Sequence, residues 1–229
     1  MPILGLVGGL SWHASALYYQ RINKEAELRY GAGATVETVL FTLRFADVLA
    51  AAQAGDWDEV NGRILAAANH CVDAGADLIM ITAFTGHSAA QMVETALSVP
   101  LVHAGDALAD QVSAGHKVGL LGTRFMLDAG IIKGRLRDRG LSVLQAGPKA
   151  ANDLDDVILG DLTHGSISTK SHQSLDGAID DVIGQGADRV LLACTELPLL
   201  MADRPADPRL IDGVAAHVET ALDRLERLQ

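Results

Sequence analysis

The chain has 229 residues, a length that fits one large domain or two smaller lobes at ~100–200 residues per domain. Hydrophobic residues make up 49% of it, enough for a buried core, which excludes an intrinsically disordered chain. A formal charge of −11 argues against nucleic acid, and two cysteines supply neither a disulfide framework nor the usual four-ligand zinc set. No apolar run reaches the ~18 residues of a membrane span, and MPILGLVGGL lacks the basic region of a signal peptide. The expectation is a cytoplasmic, globular, mostly aliphatic protein with no membrane partner.

Residues 3–7 form a short branched apolar run stopped by Gly8-Gly9, as a buried strand would be, and residues 15–28 carry apolar side chains at helical spacing. Residues 35–42 read as a second strand, and 45–54 and 58–74 as helices, the latter ended by Gly75. Residues 78–81 and 101–103 are short strands, 107–114 is helical, and 117–121 is a strand stopped by Gly122. Beyond it lie a helix over 128–139, a strand over 141–144, a helix start over 155–160 and a helix over 174–184. A strand over 189–193 and a terminal helix over 214–228 complete the pattern. This alternation with continuous apolar strands predicts mostly parallel sheet flanked by helices.

The sequence also repeats. GADLIMITA at 75–83 matches GADRVLLAC at 186–194 (186 − 75 = 111), and GLVG at 5–8 matches GLLG at 119–122 (119 − 5 = 114). The two matches keep their order and nearly their offset, so the fold class is α/β with two pseudo-symmetric lobes, each a mostly parallel sheet flanked by helices. Ligands of parallel sheets gather outside the carboxyl ends of the strands, here residues 8–11, 82–87, 122–124 and 194–196. Two such lobes facing one another would form a cleft, and the repeat puts Ala83 in the place of Cys194.

Cys194 closes an apolar strand and precedes Thr195-Glu196. A thiol there, beside exposed backbone N–H groups, can have a lowered pKa and act as nucleophile or base. The alternative is a buried, inert thiol packed as a small hydrophobe; the flanking polar pair and the repeat favour function. Cys71 lies mid-helix with no turn near it and reads as a core residue. The eight histidines are scattered and no HExxH or CxxC spacing occurs, so no metal site is expected. His87 stands at a strand end and His103 after a short strand, where most histidines cap or fill the core. Gly5, Gly8 and Gly9 lack dinucleotide-binding spacing, and the basic run over 133–139 reads as a solvated helix face.

GLVGGLSWHASALYYQRIN at 5–23, LVHAGDA at 101–107, GLLGTRF at 119–125 and LACTEL at 192–197 together resemble the aspartate/glutamate racemase family, whose members work without pyridoxal phosphate. The resemblance runs in order through most of the chain, and Gly-Gly-x-Ser-Trp and Cys-Thr-Glu are its specific parts. It implies a homodimer without cofactor acting on a small carboxylate or amino-acid substrate held between two lobes. Those lobes would cover 1–99 plus 206–229 and 100–205. It further implies one catalytic cysteine per lobe, flanking the substrate Cα and working as paired acid and base.

Carried over by motif, Cys194 is the second-lobe acid/base, Thr195 a donor to the substrate carboxylate, and Ser11 and Thr123 the strand-end hydroxyls, with Glu196, Thr85, Phe84 and His87 expected beside them as substrate-binding residues. The family's first-lobe Cys-Asn-Thr reads Ala83-Phe84-Thr85 here, anchored by Thr85 and by His87 downstream. Ala83 therefore replaces a catalytic cysteine and Phe84 an amide, while Ala16 and Met126 stand where hydroxyl residues are usual. Three readings follow. The protein racemises an acidic amino acid with Cys194 and a hydroxyl, a water or His87 opposite. Or it does one-base carbanion chemistry with Cys194 alone, as malonate-type decarboxylases of the superfamily do. Or it binds small acids without catalysis. Arg44, after the second strand, is either a carboxylate contact or an ordinary surface arginine.

Overall fold

The computed structural model describes residues 2–201 and 204–228. Among them the chain forms two four-stranded parallel sheets, in two compact units. One unit runs up to His103 and resumes at His217; the other is the uninterrupted stretch Ala104–Ala216.

In the first unit, strands β1 (Leu4–Gly8), β2 (Thr38–Thr42), β3 (Leu78–Ile81) and β4 (Leu101–Val102) lie in the order β2-β1-β3-β4. Helices α1 (Trp12–Tyr30), α2 (Phe45–Gln53), α3 (Trp57–Asp73) and α4 (Ala90–Ala96) connect them. Every residue of β1 and β3 is buried, as continuous apolar runs in the middle of a parallel sheet require. The second unit opens with α5 (Ala104–Ala109), then β5 (Lys117–Leu121), α6 (Arg124–Asp128), α7 (Lys133–Asp138) and β6 (Ser142–Leu144). It continues through α8 (Pro148–Gly160), α9 (Thr169–Gly184), β7 (Arg189–Leu192) and β8 (Leu210–Asp212), in sheet order β6-β5-β7-β8. The last helix, α10 (Gly213–Glu226), begins in the second unit and ends in the first.

Strand register reproduces the sequence repeat. Gly5 pairs with Ile79 in one sheet and Gly119 with Val190 in the other, which are the two offsets read from the sequence. Each repeat closes its long helix with a glycine of positive φ, Gly75 at 96° and Gly186 at 95°. The aspartate that follows fastens the turn: Asp77 Oδ2 accepts from the Ile3 N–H, and Asp188 Oδ2 from the Lys117 N–H, both at 2.8 Å. A glycine in each central strand admits the helix above it. A Cβ on Gly5 would lie 2.8 Å from Cys71 Cβ, and one on Gly119 would lie 2.5 Å from Val182 Cγ2. Cys71 and Val182 occupy the same place in the repeat, so Cys71 is a core residue; burial pushes its thiol pKa up.

Several expectations change. The helix expected over 128–139 is two short helices, because Gly130 takes φ of 68° between them. Its arginines are not simply solvated: Arg135 and Arg139 pair with Asp106, and Arg139 with Asp110 at 2.6 Å. Helix α8 starts at Pro148, well before residue 155, with proline in its first turn where a missing N–H costs nothing. The units divide at 103/104 and 216/217, whereas the resemblance suggested 99/100 and 205/206. β4 is hydrogen-bonded to β3 and β8 to β7, so each strand stays with the sheet it extends.

Candidate active site

In the second unit, Ala193 continues β7 and its N–H donates to the Leu121 carbonyl at 2.8 Å. Cys194 follows, and a 3-10 turn begins at Leu197. The Cys194 thiol is buried and donates to Glu196 Oε2 at 3.1 Å; Thr195 Oγ1 donates to the same oxygen at 2.5 Å. One carboxylate oxygen thus gathers both side chains of the Cys-Thr-Glu motif. The thiol pKa lies well above its ordinary value, contrary to the lowering expected of a strand-end cysteine. Burial is the largest cause and the Glu196 charge adds to it. The backbone N–H groups of Glu196 and Leu197, directed at the sulfur, act in the expected direction but do not prevail.

Thr123 is the N-cap residue of α6 and sits two residues beyond Leu121, as Cys194 sits two beyond its partner Leu192. Its Oγ1 is buried and makes no capping bond; among the described residues it has no hydrogen-bond partner. An unmade bond of this kind costs ~1–3 kcal/mol.

The corresponding strand end in the first unit, residues 82–87, carries no thiol or carboxylate. The Thr82 N–H donates to the Val7 carbonyl as that of Ala193 does to Leu121, which equates Ala83 with Cys194. Thr82 Oγ1 also donates to the Val7 carbonyl and lies 3.1 Å from Ser15 Oγ, so this buried pair is committed within the fold. Ala83 and Phe84 are buried and Thr85 is partly buried. Ser11 caps α1 by accepting from the Ala14 N–H at 3.3 Å. His87, in the turn Thr85–Ala89, donates from Nδ1 to the Ala83 carbonyl at 2.9 Å, and its ring packs against His103 and His217 inside the same unit. Arg44 is exposed at the carboxyl end of β2, at the start of α2.

The strand ends therefore bring Thr123, Cys194, Thr195 and Glu196 to one sheet, and Ser11, Ala83, Phe84, Thr85 and His87 to the other. Among the described residues no set of three or more His, Cys, Asp and Glu is placed to hold a metal ion, and no helix is long and apolar enough to cross a membrane. A groove of about 680 Å³ between α8 and α9 involves none of these strand-end residues.

A parallel α/β unit built twice, with Cys-Thr-Glu at one central strand end, defines a duplicated fold of the racemase type. The chain belongs to the Asp/Glu/Hydantoin racemase family, whose model matches residues 7–221. It is 31% identical to a proposed Asp/Glu racemase from Yersinia pestis over 100% of both chains, with a TM-score of 0.89. An aspartate racemase homologue from Pyrococcus horikoshii OT3 shares 23% identity over 99% of this chain and 100% of its own, with a TM-score of 0.85. The fold also matches glutamate racemase from Francisella tularensis, solved with D-glutamate, at 13% identity and a TM-score of 0.68 over 99% and 81% of the two chains.

Proposed function

We propose that the protein moves a proton at the carbon α to the carboxylate of a small acidic amino acid or a close analogue, working from one face of that carbon. The observation that carries this reading is the asymmetry of the two strand ends: a thiol bonded to a carboxylate at Cys194, and no titratable side chain at Ala83. Membership in a racemase family supports proton transfer at Cα, the step that racemisation and one-face exchange share, and Asp and Glu in the family's name supply the class of acid.

A neutral thiol is a poor base, so Glu196 has work to do. As the substrate binds, Cys194 gives its proton to Glu196 Oε2, the atom it already faces. The thiolate then takes the Cα proton, and the electron pair of the C–H bond moves into the substrate carboxylate as an enediolate. The unpartnered Thr123 hydroxyl suits the oxygen on which that charge develops. Return of the proton from sulfur to the same face regenerates the starting enantiomer, and Glu196 returns its own proton to the sulfur. Inversion needs a donor on the other face, the role that the resemblance gives to a first-lobe cysteine, and Ala83 stands in that cysteine's place.

Incubation in D2O with each enantiomer of aspartate and glutamate tests this. Deuterium should enter at Cα faster than optical activity is lost, and Ala83→Cys should raise inversion towards the exchange rate. Equal rates of exchange and inversion in the wild type would overturn the one-face reading. Binding with no exchange of any acid would leave a binding protein. CO2 release from substituted malonates, in place of exchange, would make the same thiol a decarboxylase.

A further inference from the structure

Inside the first unit, Tyr18, His87, His103 and His217 meet, each at most 3% exposed, and none takes part in the chemistry above. They come from α1, the turn after β3, the residue after β4, and α10. The His217 Nε2 lies 2.9 Å from the Val102 carbonyl, which can only accept, so Nε2 carries the hydrogen. Its Nδ1 then accepts from the Tyr18 hydroxyl, also at 2.9 Å. Both ring nitrogens are thus engaged by fixed groups on two other elements. The His87 ring packs against His217 at 5.4 Å and against His103 at 4.8 Å between centroids, and its Nδ1–H is on the Ala83 carbonyl. Arg224, on the same helix as His217, donates to the Leu101 carbonyl and disfavours a cation at His217, as His87 does.

Buried polar rings are costly unless every group finds its partner, and once satisfied they fix a single arrangement. The fixed arrangement here ends at the backbone of Ala83, the residue in the place of the missing thiol. We infer that His217 is a positioning residue for that strand end: pinned by Tyr18 and the Val102 carbonyl, its ring holds the His87 imidazole in the orientation that ties down the Ala83–Phe84–Thr85 backbone. His217 touches no reacting atom in this scheme. The kinetic part of the inference rests on the function proposed above; the structural part does not.

Histidine-labelled protein examined by NMR tests it directly. In His217→Phe, the His87 Nδ1–H should exchange with water about tenfold or more faster, and the Ala83 and Thr85 amide resonances should move. Tyr18→Phe removes a single hydroxyl; it should shift the same signals by a smaller amount, and it serves if His217→Phe does not fold. With exchange-active protein, KM should rise about tenfold and kcat stay within about twofold, because His217 touches no reacting atom. A folded His217→Phe with unmoved His87 and Ala83 signals would overturn the inference, as would a fall in kcat at constant KM. If the wild type exchanges no Cα proton, the proposed function falls, and the NMR result still decides the role of His217.

Discussion

Acid should loosen the first unit through His217. Burial is the main cause that pushes this imidazole from 6.5 down to about 3; the neighbouring His87 and Arg224 act the same way, and the Val102 carbonyl opposes them. Tyr18 from α1 hydrogen-bonds its ring, and His103 after β4 packs against the adjacent His87. A base whose folded pKa is lowered is protonated first in the unfolded chain. The stability it allows is therefore whole above about pH 6.5 and is lost as pH falls towards 3. At pH 5 the loss from this one group amounts to about 2 kcal/mol, growing by about 1.4 kcal/mol per further pH unit. Both tryptophans, Trp12 and Trp57, lie in the first unit, so their fluorescence follows the unit that holds the cluster. Urea midpoints from that signal should drop by about 1 M between pH 7.5 and 5 on account of His217. The His217→Phe variant should start lower, because it removes the hydrogen bonds that His217 makes with the Tyr18 hydroxyl and the Val102 carbonyl, and should fall less steeply. Parallel curves for the two proteins would refute the reasoning.

Other perturbations address the site and the repeat. Glu196→Gln removes the charge that raises the Cys194 pKa, so alkylation by iodoacetamide at pH 8.5 should speed up while Cα exchange drops ~10²–10⁴-fold. Slower alkylation would show that Glu196 activates the thiol at rest. Thr123→Val deletes a hydroxyl without a partner: thermal unfolding should be unchanged or improved by about 1 kcal/mol, while acid binding measured by calorimetry weakens about tenfold. Gly119→Ala drives a methyl into Val182 and should cost about 1–3 kcal/mol in denaturant unfolding, with much of it recovered in the double variant with Val182→Ala.

The duplicated fold is legible in the sequence because its markers are local. Gly-Ala-Asp before β3 and β7 sets a left-handed helix end and an aspartate that fastens the turn, and both are written in three adjacent letters. The break at Gly130 is less visible, since a lone glycine in an apolar helical pattern can equally be tolerated. The start of α8 had its sign in Gly147-Pro148, but β8 has only three residues and no periodicity to announce it. At the site, the place of Cys194 follows from the pattern and its protonation does not. That depends on how the Glu196 side chain turns back on the sulfur, a rotamer choice no spacing encodes. The histidine cluster is invisible for a different reason: residues 18, 87, 103 and 217 meet only once four elements have packed.

The path of the chain has a consequence for its synthesis. The second unit is one unbroken stretch, Ala104–Ala216, so a ribosome completes its sequence before it reaches His217. The first unit begins earlier and is finished later, because Tyr18 and the Val102 carbonyl wait for α10 to deliver the imidazole that bonds them both. A nascent chain paused in α10 therefore carries a fully encoded younger half and an older half still open, and the older half is the one a chaperone would hold.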